Sequence, residues 1–75
     1  MSPASVHSVP VDSSLLVNVA YDANTLILQL TFHSGARYRY FDVPASVYTA
    51  LLAAESKGAY FNQSIRGNFP FALVP

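Results

Sequence analysis

From Ser13 onward the chain alternates between apolar and polar positions twice, and then the period changes. In "SSLLVNVAYD" (13–22), Leu15, Val17, Val19 and Tyr21 share one parity and Leu16, Asn18 and Ala20 the other, the two-residue period of a half-buried strand. "NTLILQLTFHSG" (24–35) repeats this, with Leu26, Leu28, Leu30 and Phe32 against Ile27, Gln29, Thr31 and His33. The stretch Asp22–Thr25 reads as the turn between them. Pairing Asp22 with Thr25 sets Tyr21 against Leu26, Val19 against Leu28, Val17 against Leu30 and Leu15 against Phe32, so one face is uniformly apolar.

The third strand, "GARYRYFDVP" (35–44), carries two tyrosines and two arginines in alternation, and its register decides which pair is buried. A two-residue loop at Ser34 and Gly35 opposes Phe32 to Arg37 and Leu30 to Arg39, which puts charge on the apolar face. A three-residue loop, Ser34–Ala36, instead brings Tyr38 opposite Phe32 and Tyr40 opposite Leu30, with His33 beside Arg37. The tyrosines therefore turn inward and the arginines outward.

After Asp42 the spacing becomes helical. Pro44 suits a first turn, and Val47, Tyr48, Leu51, Leu52 and Ala54 make a stripe that ends near Gly58, with Lys57 favourably placed for the helix dipole. "AYFNQSIRG" predicts a second, shorter helix with Phe61 and Ile65 on one face, ended by Gly67. The tail "NFPFALVP" reads as extended, and residues 1–12 as a loose arm ahead of a single domain, 13–75. The expected architecture is α+β: a three-stranded antiparallel meander with one longer and one short helix packed on one face. Its core holds Tyr21, Phe32, Tyr38, Tyr40, Leu51 and Phe61. Its bare face carries Asn18, Gln29, Thr31, His33, Arg37 and Arg39, with Leu16, Ile27 and Phe41.

Composition narrows the chemistry. With 75 residues, 52% of them apolar and 11% charged, the chain suffices for one small core and is too apolar for disorder. It contains no cysteine, so a disulfide, a thiolate metal site and a cysteine nucleophile are all excluded. Four cationic side chains balance four anionic ones, which removes any long-range pull toward nucleic acid or an anionic membrane. No apolar run approaches the roughly 18 to 20 residues that span a bilayer, and the N-terminus lacks a signal-peptide pattern; a cytoplasmic, non-membrane protein is expected. Two isolated histidines, no nucleophile elbow and only three glycines give no catalytic, metal or phosphate-loop spacing, so no enzyme activity, cofactor, metal or small-molecule substrate is expected.

The ordered set Ser13, Ser14, Tyr21, Phe32, Gly35, Tyr38, Tyr40, Val43, Pro44, Ser56, Gly58, Phe61, Asn62, Ile65 and Arg66 resembles the KTSC domain family, found at the C-terminus of some lysyl-tRNA synthetases and as stand-alone bacterial proteins. The resemblance covers most of the chain and implies RNA as a partner through the family's company, with no catalytic residues to carry over. The candidate nucleic-acid-binding residues are Arg37, Arg39, Phe41, Arg66 and His33: planar guanidinium forks for phosphate and a ring for stacking. Asn62 and Arg66, four apart on a helix, can act together on an anion, or Arg66 can close on Glu55 or Asp42. The competing expectation is a protein-interaction or self-association module that buries Leu16, Ile27 and Phe41 on the bare face.

Overall fold

The computed structural model describes residues 6–75. It is a five-stranded antiparallel meander in the order β1 (Val6–Pro10), β2 (Leu16–Asp22), β3 (Ile27–Phe32), β4 (Arg37–Tyr40), β5 (Phe71–Val74), with the helical segments inserted between β4 and β5. Two strands therefore join the three that periodicity predicts. β1 lies inside the segment expected to be a loose arm: it is too short and proline-flanked to show a clear alternation, yet it pairs with β2 over its whole length, from Val6 with Asp22 to Pro10 with Asn18. The first five residues of that arm lie outside the described residues. β5 comes from the extended tail and completes the other edge against β4.

Both hairpin registers shift by two residues from those expected, and both for reasons of backbone conformation. A two-residue loop needs positive φ or glycine at its centre, which Ala23 does not supply. The β2–β3 connection opens to four residues instead, with Asp22 opposite Ile27, Tyr21 opposite Leu28 and Val19 opposite Leu30. Asp22 accepts the Asn24 N–H through Oδ1 at 2.9 Å and the Leu26 N–H through its carbonyl at 2.8 Å, and Leu26 closes the loop in the left-handed region at φ 59°. The β3–β4 loop does have three residues, but they are His33–Gly35, because the left-handed position falls on Gly35 (φ 94°) rather than on an alanine. Phe32 N–H bonds the Ala36 carbonyl at 2.9 Å, and Tyr38 and Tyr40 lie opposite Leu30 and Leu28.

A shift of two preserves parity, so Tyr21, Leu28, Leu30 and Tyr40 face the core with Val19. A bulge between Leu16 and Asn18 breaks parity in β2. Leu16 turns fully inward and Val17 outward, reversing the expected placement of both. Leu16 is therefore unavailable to any contact on the open face.

The helical layer is also divided differently. Instead of one helix to Gly58, α1 (Ala45–Ala53) stops where Ala54 becomes extended, and α2 (Lys57–Tyr60) begins at Ser56, whose Oγ accepts the Ala59 N–H at 3.2 Å. Lys57 Nζ returns to the Ala54 carbonyl at 3.0 Å. Gly58 serves close packing and not helix termination: a Cβ there would sit 3.3 Å from that of Leu15. From α2 the chain runs directly into a π-helical turn, Phe61–Ile65, closed by the Arg66 N–H to the Phe61 carbonyl at 2.8 Å. Leu51, Phe61 and Ile65 drop onto Leu16, Val19, Leu28, Leu30, Tyr40 and Val43 to form the core. No described helix is long and apolar enough to cross a membrane.

Candidate binding cleft

The residues proposed from sequence divide between two sides of the sheet. On the open face, Arg37 and Arg39 project side by side from β4. Arg39 donates from Nε to Gln29 Oε1 at 3.0 Å, and Arg37 donates to the Pro75 carbonyl at 3.2 Å. Phe41 follows β4 directly, half-buried and outside the core cluster, and bonds the Pro70 carbonyl through its N–H. The groove on this face, about 370 Å³, is edged by Ser8, Thr25, Gln29, Arg39 and the carboxylate-bearing Asp22. His33 does not join it or pair with Arg37: its Nε2 lies 2.8 Å from the Ser13 carbonyl, which ties the loop after β3 to the start of β2.

Arg66 lies on the helical side, at a larger cleft of about 520 Å³. Four elements build this cleft. β3 and β4 contribute Phe32, Tyr38 and Tyr40; the π turn contributes Phe61, Asn62 and, at its exit, Arg66; β5 contributes Phe71. The rings form a continuous box, with centroids of Phe71 5.8 Å from Tyr38 and 5.6 Å from Tyr40, and of Phe61 5.4 Å from Phe32 and 5.7 Å from Tyr40. Its floor is dry and its mouth is not: Tyr40 is 5% exposed and Phe71 57%. Burial pushes the Tyr40 hydroxyl up from its usual range, Tyr38 adds to the rise, and the Arg66 guanidinium opposes it, so the Arg66 charge acts on the floor of the cleft.

The extra residue of the π turn changes where its side chains point, and such turns recur at functional sites. Here Asn62 and Arg66 arrive together at the rim, with Arg66 Nη1 3.5 Å from Asn62 Oδ1. Arg66 thus pairs with Asn62 and not with Glu55 or Asp42. Among the residues lining this cleft none is a carboxylate. The arrangement offers aromatic faces for a flat ring, a planar cation for an anion and an amide that both donates and accepts. Of the core residues expected from sequence, Tyr21, Tyr40, Leu51 and Phe61 are buried, while Phe32 and Tyr38 are half-buried against them and face the cleft. Sequence reasoning favoured the core over base stacking for the tyrosines and left Phe71 free to pack back at no particular position, because nothing in "NFPFALVP" states which strand it pairs with. Among the described residues no group of three or more acidic, histidine or cysteine side chains is arranged to hold a metal.

The fold and cleft define a small α+β domain in which a meandering sheet is covered on one side by two helical segments. The KTSC domain family matches residues 12–69, and the chain belongs to that family. It is 43% identical to a protein of Tsukamurella paurometabola over 80% of this chain and 90% of that one. It is 49% identical to an uncharacterized protein of Stutzerimonas stutzeri over 73% of this chain and 78% of that one. A lysine–tRNA ligase of Nostoc punctiforme is 42% identical over 80% of this chain, which corresponds to 11% of the ligase. The crystal structure of a KTSC domain protein from Yersinia pestis superposes with a TM-score of 0.90 at 28% identity, covering 93% of this chain and 99% of that one.

Proposed function

We propose that the domain is a non-enzymatic binding module for single-stranded RNA, met in the cytoplasm, and that the aromatic cleft beside Arg66 takes the ligand. The observation that carries this reading is the convergence of five aromatic rings, Arg66 and Asn62 on one opening with no carboxylate in its lining. Single-stranded RNA presents unstacked bases that such rings accept at about 1 to 3 kcal/mol per stack, with phosphates within reach of a guanidinium. The relation to a segment of lysine–tRNA ligases supports RNA as the ligand class. Arg37 and Arg39 face the other side of the sheet, already bonded to Pro75 and Gln29 respectively, with Arg39 in a groove that also holds Asp22, and play a smaller part. With zero net charge on the whole chain, binding is weak and falls with salt according to the few phosphates engaged.

An NMR titration with short single-stranded RNAs at two salt concentrations tests the proposal. The amides of Tyr38, Asn62, Arg66 and Phe71 are expected to shift, less at the higher salt. Shifts confined to the Gln29, Arg37 and Arg39 face would move the site, and an unresponsive spectrum would remove RNA as the ligand.

A further inference from the structure

The strand that supplies Phe71 to the cleft is also the terminal strand of the sheet, and its outer edge has a definite hydrogen-bonding phase. Antiparallel ladders alternate between bonded and non-bonded pairs. The Phe41 N–H bonds the Pro70 carbonyl, and β4 pairs Arg39 with Ala72 and Arg37 with Val74, so the main-chain groups of Ala72 and Val74 point to β4. Those of Phe71 and Leu73 therefore point outward. Pro75, next in the same phase, has no N–H, and the open window ends there.

We infer that this edge pairs with its own copy, β5 against β5, about a two-fold axis perpendicular to the sheet through Ala72. This goes beyond the RNA reading and does not depend on it. In that register Phe71 is opposite the partner's Leu73 and Leu73 is opposite the partner's Phe71. All four outward main-chain groups of each window are satisfied at once, and both helical layers stay on the same side of a ten-stranded sheet. Sliding by one pair is worse in either direction: one way Phe71 comes opposite Pro75, which has no N–H to give, and the other way Leu73 comes opposite Phe69, outside the strand. The occupant is a second copy because the window is palindromic in both hydrogen-bonding phase and side-chain type. Phe71 and Leu73, 57% and 60% exposed, share the face of their β4 partners Tyr40 and Tyr38 and meet across the axis. No charged residue occurs from Gly67 to Pro75, so no side-chain charge guards this edge; its shortness and the flanking Pro70 and Pro75 limit the window without closing it, and two copies of zero net charge do not repel each other. The contact is isologous and closes on itself, whereas β1 against β5 would propagate without limit. A four-residue strand pair buries well under the ~1,200 Å² of a stable interface, so the dimer is weak and concentration-dependent.

Sedimentation of the chain without RNA, over concentrations up to millimolar, is expected to show the 8.1 kDa species giving way to one of twice that mass. Amide exchange at Phe71 and Leu73 is expected to slow as concentration rises, with Ala72 and Val74 unchanged. Leu73→Pro removes only an outward N–H and leaves the β4 ladder intact, and Leu73→Lys places a charge against the partner's Phe71; each should weaken dimerisation at least about tenfold, and the lysine variant carries the test if circular dichroism shows the proline variant unfolded. A monomer at millimolar concentration overturns the inference. So does a dimer that survives both substitutions, or one lost on Phe41→Asp instead, which would place self-association on the open sheet face.

Discussion

Tyrosines at the two ends of the sheet do opposite work. At the β2–β3 end, Tyr21 is 4% exposed, stacks on Tyr48 of α1 with centroids 4.7 Å apart and planes 13° from parallel, and donates its hydroxyl proton to the Val43 carbonyl at 2.6 Å. Among the described residues no buried side-chain polar atom lacks a partner, so this end offers no buried group to recognise a ligand. At the β4–β5 end, Tyr38 meets rings of Phe32, Tyr40 and Phe71 but no helix closes over it. The difference lies in the covering layer: α1 sets Tyr48 on Tyr21 and Leu51 into the core at the first end, while the π turn that follows α2 sets Phe61 on the floor and Asn62 and Arg66 at the rim of the second. The same residue types build a lock at one end and an opening at the other.

The largest expected effect breaks the closed end. Leu30→Ala, at a fully buried position, should cost about 2 to 5 kcal/mol and leave a domain this small barely folded, read as a loss of the urea transition. Tyr21→Phe keeps the stacking but leaves the buried Val43 carbonyl unbonded, for about 1 to 3 kcal/mol in the same measurement. Burial and the neighbouring Asp22 raise the Tyr21 hydroxyl above its ordinary 10.0, so the folded state holds that proton more tightly than the unfolded one. The stability this confers is complete below pH 10.0 and is lost as pH rises through the folded-state value, and Tyr40 behaves alike. Alkaline denaturation should therefore begin above that point, with a shallower fall in Tyr21→Phe. The smallest stability effect belongs to the open end: Phe71→Ala, at a largely exposed ring, should cost under about 1 kcal/mol while removing one wall of the cleft and its RNA response.

The contrast between the ends also explains what could be read from the chain. Alternation in 13–22 and 24–35 established the inward parity of Tyr21, Leu28 and Leu30, and the arginine–tyrosine alternation did the same for Tyr38 and Tyr40, because charge on a buried face decides between registers by several kcal/mol. Register itself was off by two in each hairpin, since that depends on a leucine accepting φ 59° and on which loop residue takes the left-handed position. The bulge that exchanges Leu16 for Val17 leaves no mark in composition. Most of the cleft depends on β5 and on the π turn: four apolar residues between prolines do not specify their neighbour, and a single inserted turn residue is invisible to a search for helical spacing. Arg66 and Asn62 were legible as a pair four residues apart; the rings they stand beside were not.

Fluorescence anisotropy of one short labelled RNA against two variants tests the central claim most directly. If the open end is the binding surface, Arg66→Ala should weaken binding about tenfold or more and flatten its salt dependence, while the Arg37→Ala, Arg39→Ala double substitution changes affinity by less than about threefold. The reverse ranking, with Arg66→Ala binding as the unsubstituted chain does, would contradict the account.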